Sequence, residues 1–420
     1  MMTYNRHADK TNSQFLCSPF SGTCLVFGRS NCGIGRSLCR LSIDAPETAF
    51  AKEMNQAGGM IHHNLPTGRI LEVRPARRQG KTRSGREGIS MAKIVRFYET
   101  GGPEVLKLEE APARKPGNGE VILRVKAIGL NRADSMFMHG HYFEPTQLPA
   151  TLGYEASGVV IAAGPDVDRS LIDQKVSTMP AFSLNQYGVA GEEVVVPVHA
   201  LAAYPEHLSP VEGTSIWMQY LTAYGALIEF GRLRAGEFVI ITAASSSAGL
   251  AAMETVKAEG GIAIATTRSR SKRDELLNLG ADHVIVIDQE NFIERVKEIT
   301  NDAGARIIFD PIAGPFVNQL AEAAAQGATI FEYGSLSQSS TPYPLAQSII
   351  KALTIRGYWL VEILSHPERL ARAKNYVFEK LNSKQFKPLV AKTFPFEQVV
   401  RAYQYMESNS HVGKIALTVG

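Results

Sequence analysis

Between residues 238 and 333, short apolar runs alternate with helix-like stretches of about ten residues, and this alternation constrains the fold more than any other feature. The runs fall at 238–242, 262–266, 283–287, 306–309 and 328–333, with a further one at 353–356. Helical spacing holds over 250–259, 271–279, 292–299 and 316–324. Strands alternating with helices in this way form βαβ units and a parallel, doubly wound sheet. Residues 91–212 read differently. Their strand candidates, at 93–98, 105–110, 120–128, 157–162, 175–178 and 192–196, are separated by Gly- and Pro-rich turns and predict a mostly β domain. Helices at 366–383 and 396–407 and a last strand at 413–419 follow, and that strand is expected to return to the β half.

The expected organisation is therefore a leader, 1–90, a discontinuous β domain, 91–212 with 355–420, and a dinucleotide-binding α/β domain, 213–354. The leader holds 13 Lys/Arg against 6 Asp/Glu, whereas the remaining 330 residues hold 31 against 35. A body with that balance offers no field suited to nucleic acid. No apolar run approaches the roughly 18 residues of a membrane span, and the mean hydropathy is −0.07. All four cysteines, Cys17, Cys24, Cys32 and Cys39, lie in the leader, at gaps unlike those of zinc ribbons or redox pairs. A body without cysteine suits a reducing cytoplasm. The leader shows no sustained periodicity and ends in a basic, turn-rich stretch at 74–86, so it reads as unfolded. It lacks the apolar core of a secretory signal, and its acidic residues count against an organellar presequence. Met91 reads as the natural start, with the leader as upstream read-through.

The first βα turn reads Thr242-Ala243-Ala244-Ser245-Ser246-Ser247-Ala248-Gly249. Tiny residues there let backbone approach a pyrophosphate at a helix N-terminus, although Ala and Ser replace the first glycines of the usual fingerprint. The Ser hydroxyls could donate to phosphate or simply cap the helix. Where an NAD site wants a carboxylate for the ribose, the chain reads Thr266-Thr267-Arg268-Ser269-Arg270-Ser271-Lys272. Three cations with interleaved hydroxyls would suit a 2′-phosphate, the alternative being a solvated basic loop. NADPH is the expected cofactor, held by 244–249 with Thr267, Arg268, Ser269 and Lys272.

Further stretches carry a family resemblance. They are Gly129-Leu130-Asn131-Arg132-Ala133-Asp134, Leu148-Pro149 with Leu152-Gly153-Tyr154-Glu155-Ala156-Ser157-Gly158, Leu221-Thr222-Ala223-Tyr224-Gly225, Gly280-Ala281-Asp282-His283-Val284 and Gly413-Lys414-Ile415-Ala416-Leu417. Over about 91–420 the chain resembles the medium-chain dehydrogenase/reductase superfamily, in its zinc-free quinone oxidoreductase branch. The resemblance implies a GroES-like β domain and a Rossmann domain with the active site between them. Asn131 and Tyr154 stand where zinc-dependent members carry Cys and His, and neither is a usual zinc ligand. No metal is expected. Without a Lewis acid, forming an alkoxide from an ordinary alcohol is hard. A quinone or enone delocalises the incoming charge itself.

By the same resemblance Asn131 and Tyr142 face nicotinamide and substrate and are the catalytic candidates. Thr222 lies on the nicotinamide side, Gly334 and Ser335 along the dinucleotide, and Lys414 near the cofactor. Tyr142 could equally be an ordinary loop tyrosine, and His139 and His141 solvated loop histidines rather than proton donors. Glu155 reads as structural. Where the branch often has a Tyr supporting the 2′-phosphate, this chain has Ile287-Asp288, which leaves that task to Arg268, Ser269 and Lys272. The expected activity is NADPH-dependent hydride transfer to quinones or α,β-unsaturated carbonyls. A trans-acting enoyl reductase and a non-catalytic NADPH-binding protein are the alternatives. The expected partner is a small carbonyl or quinone, with a homodimer compatible and neither nucleic acid nor membrane involved.

Overall fold

The computed structural model describes residues 14–17, 24–27 and 91–420. The chain forms two compact units, Met1–Thr82 and Arg83–Gly420. In the first, β1 (Gln14–Cys17) pairs antiparallel with β2 (Cys24–Phe27). The rest of the leader, with Cys32, Cys39, the basic stretch and the expectation of an unfolded segment, lies outside the described residues.

The second unit opens with β3 (Met91–Arg96) and β4 (Lys107–Pro112), an antiparallel pair. A larger sheet is built from β5 (Glu120–Gly129), β6 (Glu155–Ala163), β7 (Lys175–Thr178), β8 (Glu193–Pro197) and β9 (Leu201–Ala202). Alternation along β5 sends Val121, Leu123 and Val125 into a core with Phe97, Phe137 and Leu152.

A parallel sheet follows, made of β10 (Phe238–Ile241), β11 (Ile262–Thr267), β12 (His283–Val286), β13 (Ala305–Asp310), β14 (Ala324–Glu332) and β15 (Thr354–Gly357). Its order is β12-β11-β10-β13-β14-β15. Successive residues of β10 enter different cores. Ile241 joins Trp217, Val256 and Phe309 on one face, and Ile240 joins Ile264, Ile285 and Phe292 on the other. Burial on both faces is what makes these strands read as continuous apolar runs. The doubly wound sheet and the separate β-rich sheet are the expected fold.

The expected return to the β half at 355 is corrected. Residues Thr354–Gly357 form the edge strand β15, paired with β14. Helix Pro367–Asn382 then places Ala373, Val377 and Leu381, spaced by four, in the same core as Trp217 and Tyr220. An apolar stripe of that spacing needs a facing helix, and Trp217–Tyr224 supplies it. The chain rejoins the β sheet through β16 (Val390–Pro395) and β17 (Lys414–Thr418), and β17 pairs antiparallel with β5. Among the described residues, no helix is long and apolar enough to cross a membrane.

Candidate active site

Parallel register brings the carboxyl ends of β10, β11, β13, β14 and β15 to one edge, where ligands of open α/β sheets bind. The turn after β10 holds Ala243 at φ +47° and leads into helix Ser247–Ala258. Ser246 caps that helix, its Oγ accepting the Gly249 N–H at 3.0 Å. A Cβ on Gly249 would stand 2.6 Å from Ala244 Cα, so glycine is required where helix and strand meet. Gly334 is confined in the same way, since its Cβ would come within 2.8 Å of the Pro311 carbonyl. The Ser245 carbonyl accepts the Gly413 N–H at 3.0 Å, which ties the turn to the segment entering β17.

The loop after β11 divides its cations. Lys272 Nζ donates to the Asn409 and His411 carbonyls at 2.8 Å each and to Ser245 Oγ at 3.2 Å. Three donors matched to three acceptors make it a tie between this loop, the turn and the C-terminal segment. Burial lowers its pKa. Arg268 is exposed, and among the described residues no hydrogen bond or ion pair engages its guanidinium. Thr267 Oγ1 accepts the Ser269 N–H at 3.2 Å, shaping the loop beneath it. Of the expected 2′-phosphate clamp, Arg268 thus has its donors available and Lys272 has them in use. Ser335 is exposed, on the segment following β14.

Across the unit, Asn131 caps helix Arg132–Met138 and is 6% exposed. Lys414 packs against Asn131. The β17–β5 register sets Ala416 opposite Gly129, which carries the Lys414 side chain under Asn131. Its ammonium donates to Asn131 Oδ1 at 2.5 Å and to Glu155 Oε2 at 2.6 Å, and the residue is 1% exposed. Glu155 Oε1 accepts the Met218 N–H at 2.8 Å. Asn131 Nδ2 donates to the Gly129 carbonyl at 3.3 Å, leaving its second N–H as the free donor. Asp134 Oδ2 accepts the Asn131 N–H at 2.9 Å, and burial pushes this carboxyl up to about 7. Thr222 is buried and bonds back to the Met218 carbonyl at 2.5 Å.

Tyr142 is half-buried, its ring 6.3 Å from that of Tyr154. Burial raises its pKa, while the neighbouring Tyr154 and Trp359 act in the opposite direction. His139 Nε2 lies 3.0 Å from Glu407, which also accepts from Ser135, so that imidazole is already engaged. His141 is exposed.

Sequence reasoning missed several groups at the carboxyl edge. Thr242 Oγ1 donates to buried Asp310, which also accepts the N–H groups of Ile312 and Ala313. Glu332 pairs in register with Asp310, and burial with that neighbour holds its carboxyl up to about 9. Phe143 and Trp359 were missed as well. Isolated aromatics in loops carry no periodic signal.

Residues 117–206 match the alcohol dehydrogenase GroES-like domain, and residues 248–375 match the zinc-binding dehydrogenase family. The synaptic vesicle membrane protein VAT-1 homolog of Homo sapiens is 30% identical over 339 residues, covering 76% of this chain and 84% of that protein. The chain belongs to the medium-chain dehydrogenase/reductase superfamily, in its quinone oxidoreductase-like branch. The 2-haloacrylate reductase of a Burkholderia species is 26% identical, with 78% of this chain and 98% of that protein covered. The crystal structure of Escherichia coli quinone oxidoreductase complexed with NADPH matches with a TM-score of 0.72 at 26% identity, over 78% of this chain and 100% of that one. This fold accounts for both the β-rich sheet, whose strand β5 ends just before Asn131, and the parallel sheet, whose strand β10 leads into the helix that carries Gly249.

Proposed function

We propose that this protein is an NADPH-dependent reductase that transfers hydride to quinones or α,β-unsaturated carbonyls without zinc. The observation that carries the reading is the Lys414 ammonium, buried 2.5 Å from Asn131 Oδ1. Zinc-dependent relatives carry a ligand at that position. The ammonium already engages Asn131 Oδ1, the oxygen a metal would need, and Asn131 and Tyr154 are poor zinc ligands. Acceptors that delocalise their own charge then suit the site better than unactivated alcohols.

The residues present fit a dinucleotide. The close-packed Gly249 and Gly334 and the Ser246-capped helix suit a pyrophosphate, and the carboxylate-free Thr267-Arg268-Ser269 loop suits a 2′-phosphate. The NADPH complex of the quinone oxidoreductase relative supports that choice. When bound, the cofactor supplies the hydride. In this reading Asn131, through its second Nδ2–H, and the Tyr142 hydroxyl stabilise an acceptor oxyanion, and Tyr142 gives it a proton. Buried Thr222 shapes the nicotinamide side. A body without cysteine suits residence in a reducing cytoplasm.

The test is a fluorescence titration with NADPH and NADH, followed by acceptor-dependent NADPH consumption in a chelator. Tighter NADPH binding and chelator-resistant turnover with quinones or enones are expected. Binding without turnover on any acceptor would identify a non-catalytic protein, and activity lost on chelation would restore a metal.

A further inference from the structure

The segment that follows helix Val399–Glu407 has little burial of its own, since Ser408, Asn409 and Ser410 are all exposed. Two cations from different parts of the chain hold it in place. Lys272, in the loop after β11, donates to the carbonyls of Asn409 and His411 at 2.8 Å each. Arg132, the first residue of the helix that Asn131 caps, donates to Asn409 Oδ1 at 2.7 Å and to the Met406 carbonyl at 3.3 Å. Asn409 therefore takes Lys272 on its main chain and Arg132 on its side chain. It stands at φ +55°, a left-handed conformation that glycine and asparagine adopt most readily.

These contacts form a continuous path between the two halves of the proposed site. On the nucleotide side, Lys272 also reaches Ser245 Oγ at 3.2 Å in the turn after β10. On the catalytic side, Ser135 of the helix capped by Asn131 bonds Glu407 at 2.6 Å, so that helix is tied to the segment at two places. An exposed segment with no core beneath it draws its local stability from bonds of this kind. Fixing Lys272 therefore fixes Asn409 and steadies Arg132, the residue next to Asn131.

We infer that Asn409 is a positioning residue, which carries occupancy of the 2′-phosphate loop to the helix capped by Asn131. This inference rests on the reductase reading and adds a regulation of that same site. A nucleotide seated against Arg268 orders residues 268–272 and, through Asn409 and Arg132, sets Asn131 in place before an acceptor arrives. Asn409 acts through Asn131 and touches neither cofactor nor acceptor.

Amide hydrogen exchange reads the path without turnover. The full-length protein is saturated with adenosine 2′,5′-bisphosphate, which lacks the nicotinamide, so protection of the helix must travel through the protein. In the parent, exchange should slow in 268–272 and, by about fivefold or more, in 132–138. Asn409→Gly keeps the left-handed backbone and the carbonyl for Lys272 but deletes the acceptor for Arg132. It should retain the loop protection and lose that of the helix. Asn409→Asp keeps that acceptor while losing the Nδ2 bond to the Glu407 carbonyl at 2.9 Å, and should retain both. In turnover, Asn409→Gly should lower kcat about tenfold and leave the NADPH KM near the parent value, since misplacing a reacting group costs rate. Loop protection without helix protection in the parent, or helix protection that survives in Asn409→Gly, would overturn the linkage. Protection that travels as expected in a protein that never consumes NADPH would instead refute the reductase reading and leave the linkage standing. Since Asn409 is exposed and glycine tolerates its φ, neither replacement should unfold the chain, and unchanged melting temperatures check this.

Discussion

Lys414 Nζ lies 2.5 Å from Asn131 Oδ1, and this contact fixes which end of the Asn131 amide is free to donate. The same ammonium is paired with Glu155 at 2.6 Å, with both side chains 1% exposed. Removing one partner of a buried pair typically costs about 3–5 kcal/mol. Lys414→Met should therefore melt markedly lower than the parent, and Lys414→Met/Glu155→Gln should recover part of the loss. A double variant no more stable than Lys414→Met would mean that the stranded Glu155 charge is not the main penalty.

Arg268 and Lys272, two of the three cations in the loop after β11, should separate by experiment. Charge-assisted hydrogen bonds contribute about 1.5–3 kcal/mol, so a roughly tenfold or larger NADPH preference is expected, and Arg268→Ala should narrow it. Lys272→Met loses three ties to Ser245, Asn409 and His411 and should weaken NADPH and NADH together. Titrating both nucleotides against each variant decides the assignment. A Lys272→Met variant that loses affinity for NADPH alone would return that lysine to the phosphate clamp.

Gly249→Ala tests the close packing of helix and strand. Its Cβ would meet Ala244 Cα at 2.6 Å and the Ala244 carbonyl at 2.7 Å, both backbone atoms that cannot rotate away. Overpacking of this kind costs about 1–3 kcal/mol. The variant should melt lower and bind NADPH at least about tenfold more weakly, as thermal unfolding and fluorescence titration would show.

Glu332 should make stability fall at high pH. Its carboxyl is held up to about 9 by burial and by Asp310, against an ordinary value of 4.5. The folded state keeps a proton that the unfolded chain releases, so the neutral group's advantage is intact below pH 4.5 and is lost as pH rises through about 9. Burial shifts Asp134 and Glu254 in the same direction, to about 7, whereas His411, lowered to about 4, acts oppositely at acid pH. Subtracting the melting temperatures of Glu332→Gln from those of the parent isolates one group. The variant should gain on the parent steadily from pH 5 to pH 9, and a constant difference would refute the assignment.

Much of the fold was legible because the strands of the parallel sheet are apolar on both faces and the helices between them carry an apolar stripe. Lys175–Thr178 emerges as read and the helix capped by Asn291 starts at Phe292 as read, whereas the Ser246 cap starts its helix at Ser247, three residues earlier than read, and β14 begins at Ala324, four residues earlier. Helix Trp217–Tyr224 was missed because it is buried nearly all round and shows no amphipathic contrast. The return to the β sheet was placed too early because 366–383 names an apolar face without naming its partner. In the site, small residues and missing carboxylates could be read locally. The Lys414–Asn131 contact spans 283 positions and depends on the pairing of β17 with β5. The meeting of Phe143 with Trp359 likewise depends on tertiary structure.

The proposed reductase is tested most directly by following the label from stereospecifically deuterated NADPH into the product of an enone, in the parent and in Tyr142→Phe. The account predicts deuterium on carbon in the parent product. In the variant the enone rate should fall by about 10²–10⁴-fold, with little change for a quinone whose oxygens take protons from water. Enone product formed without deuterium on carbon would contradict direct hydride transfer and, with it, the proposed function.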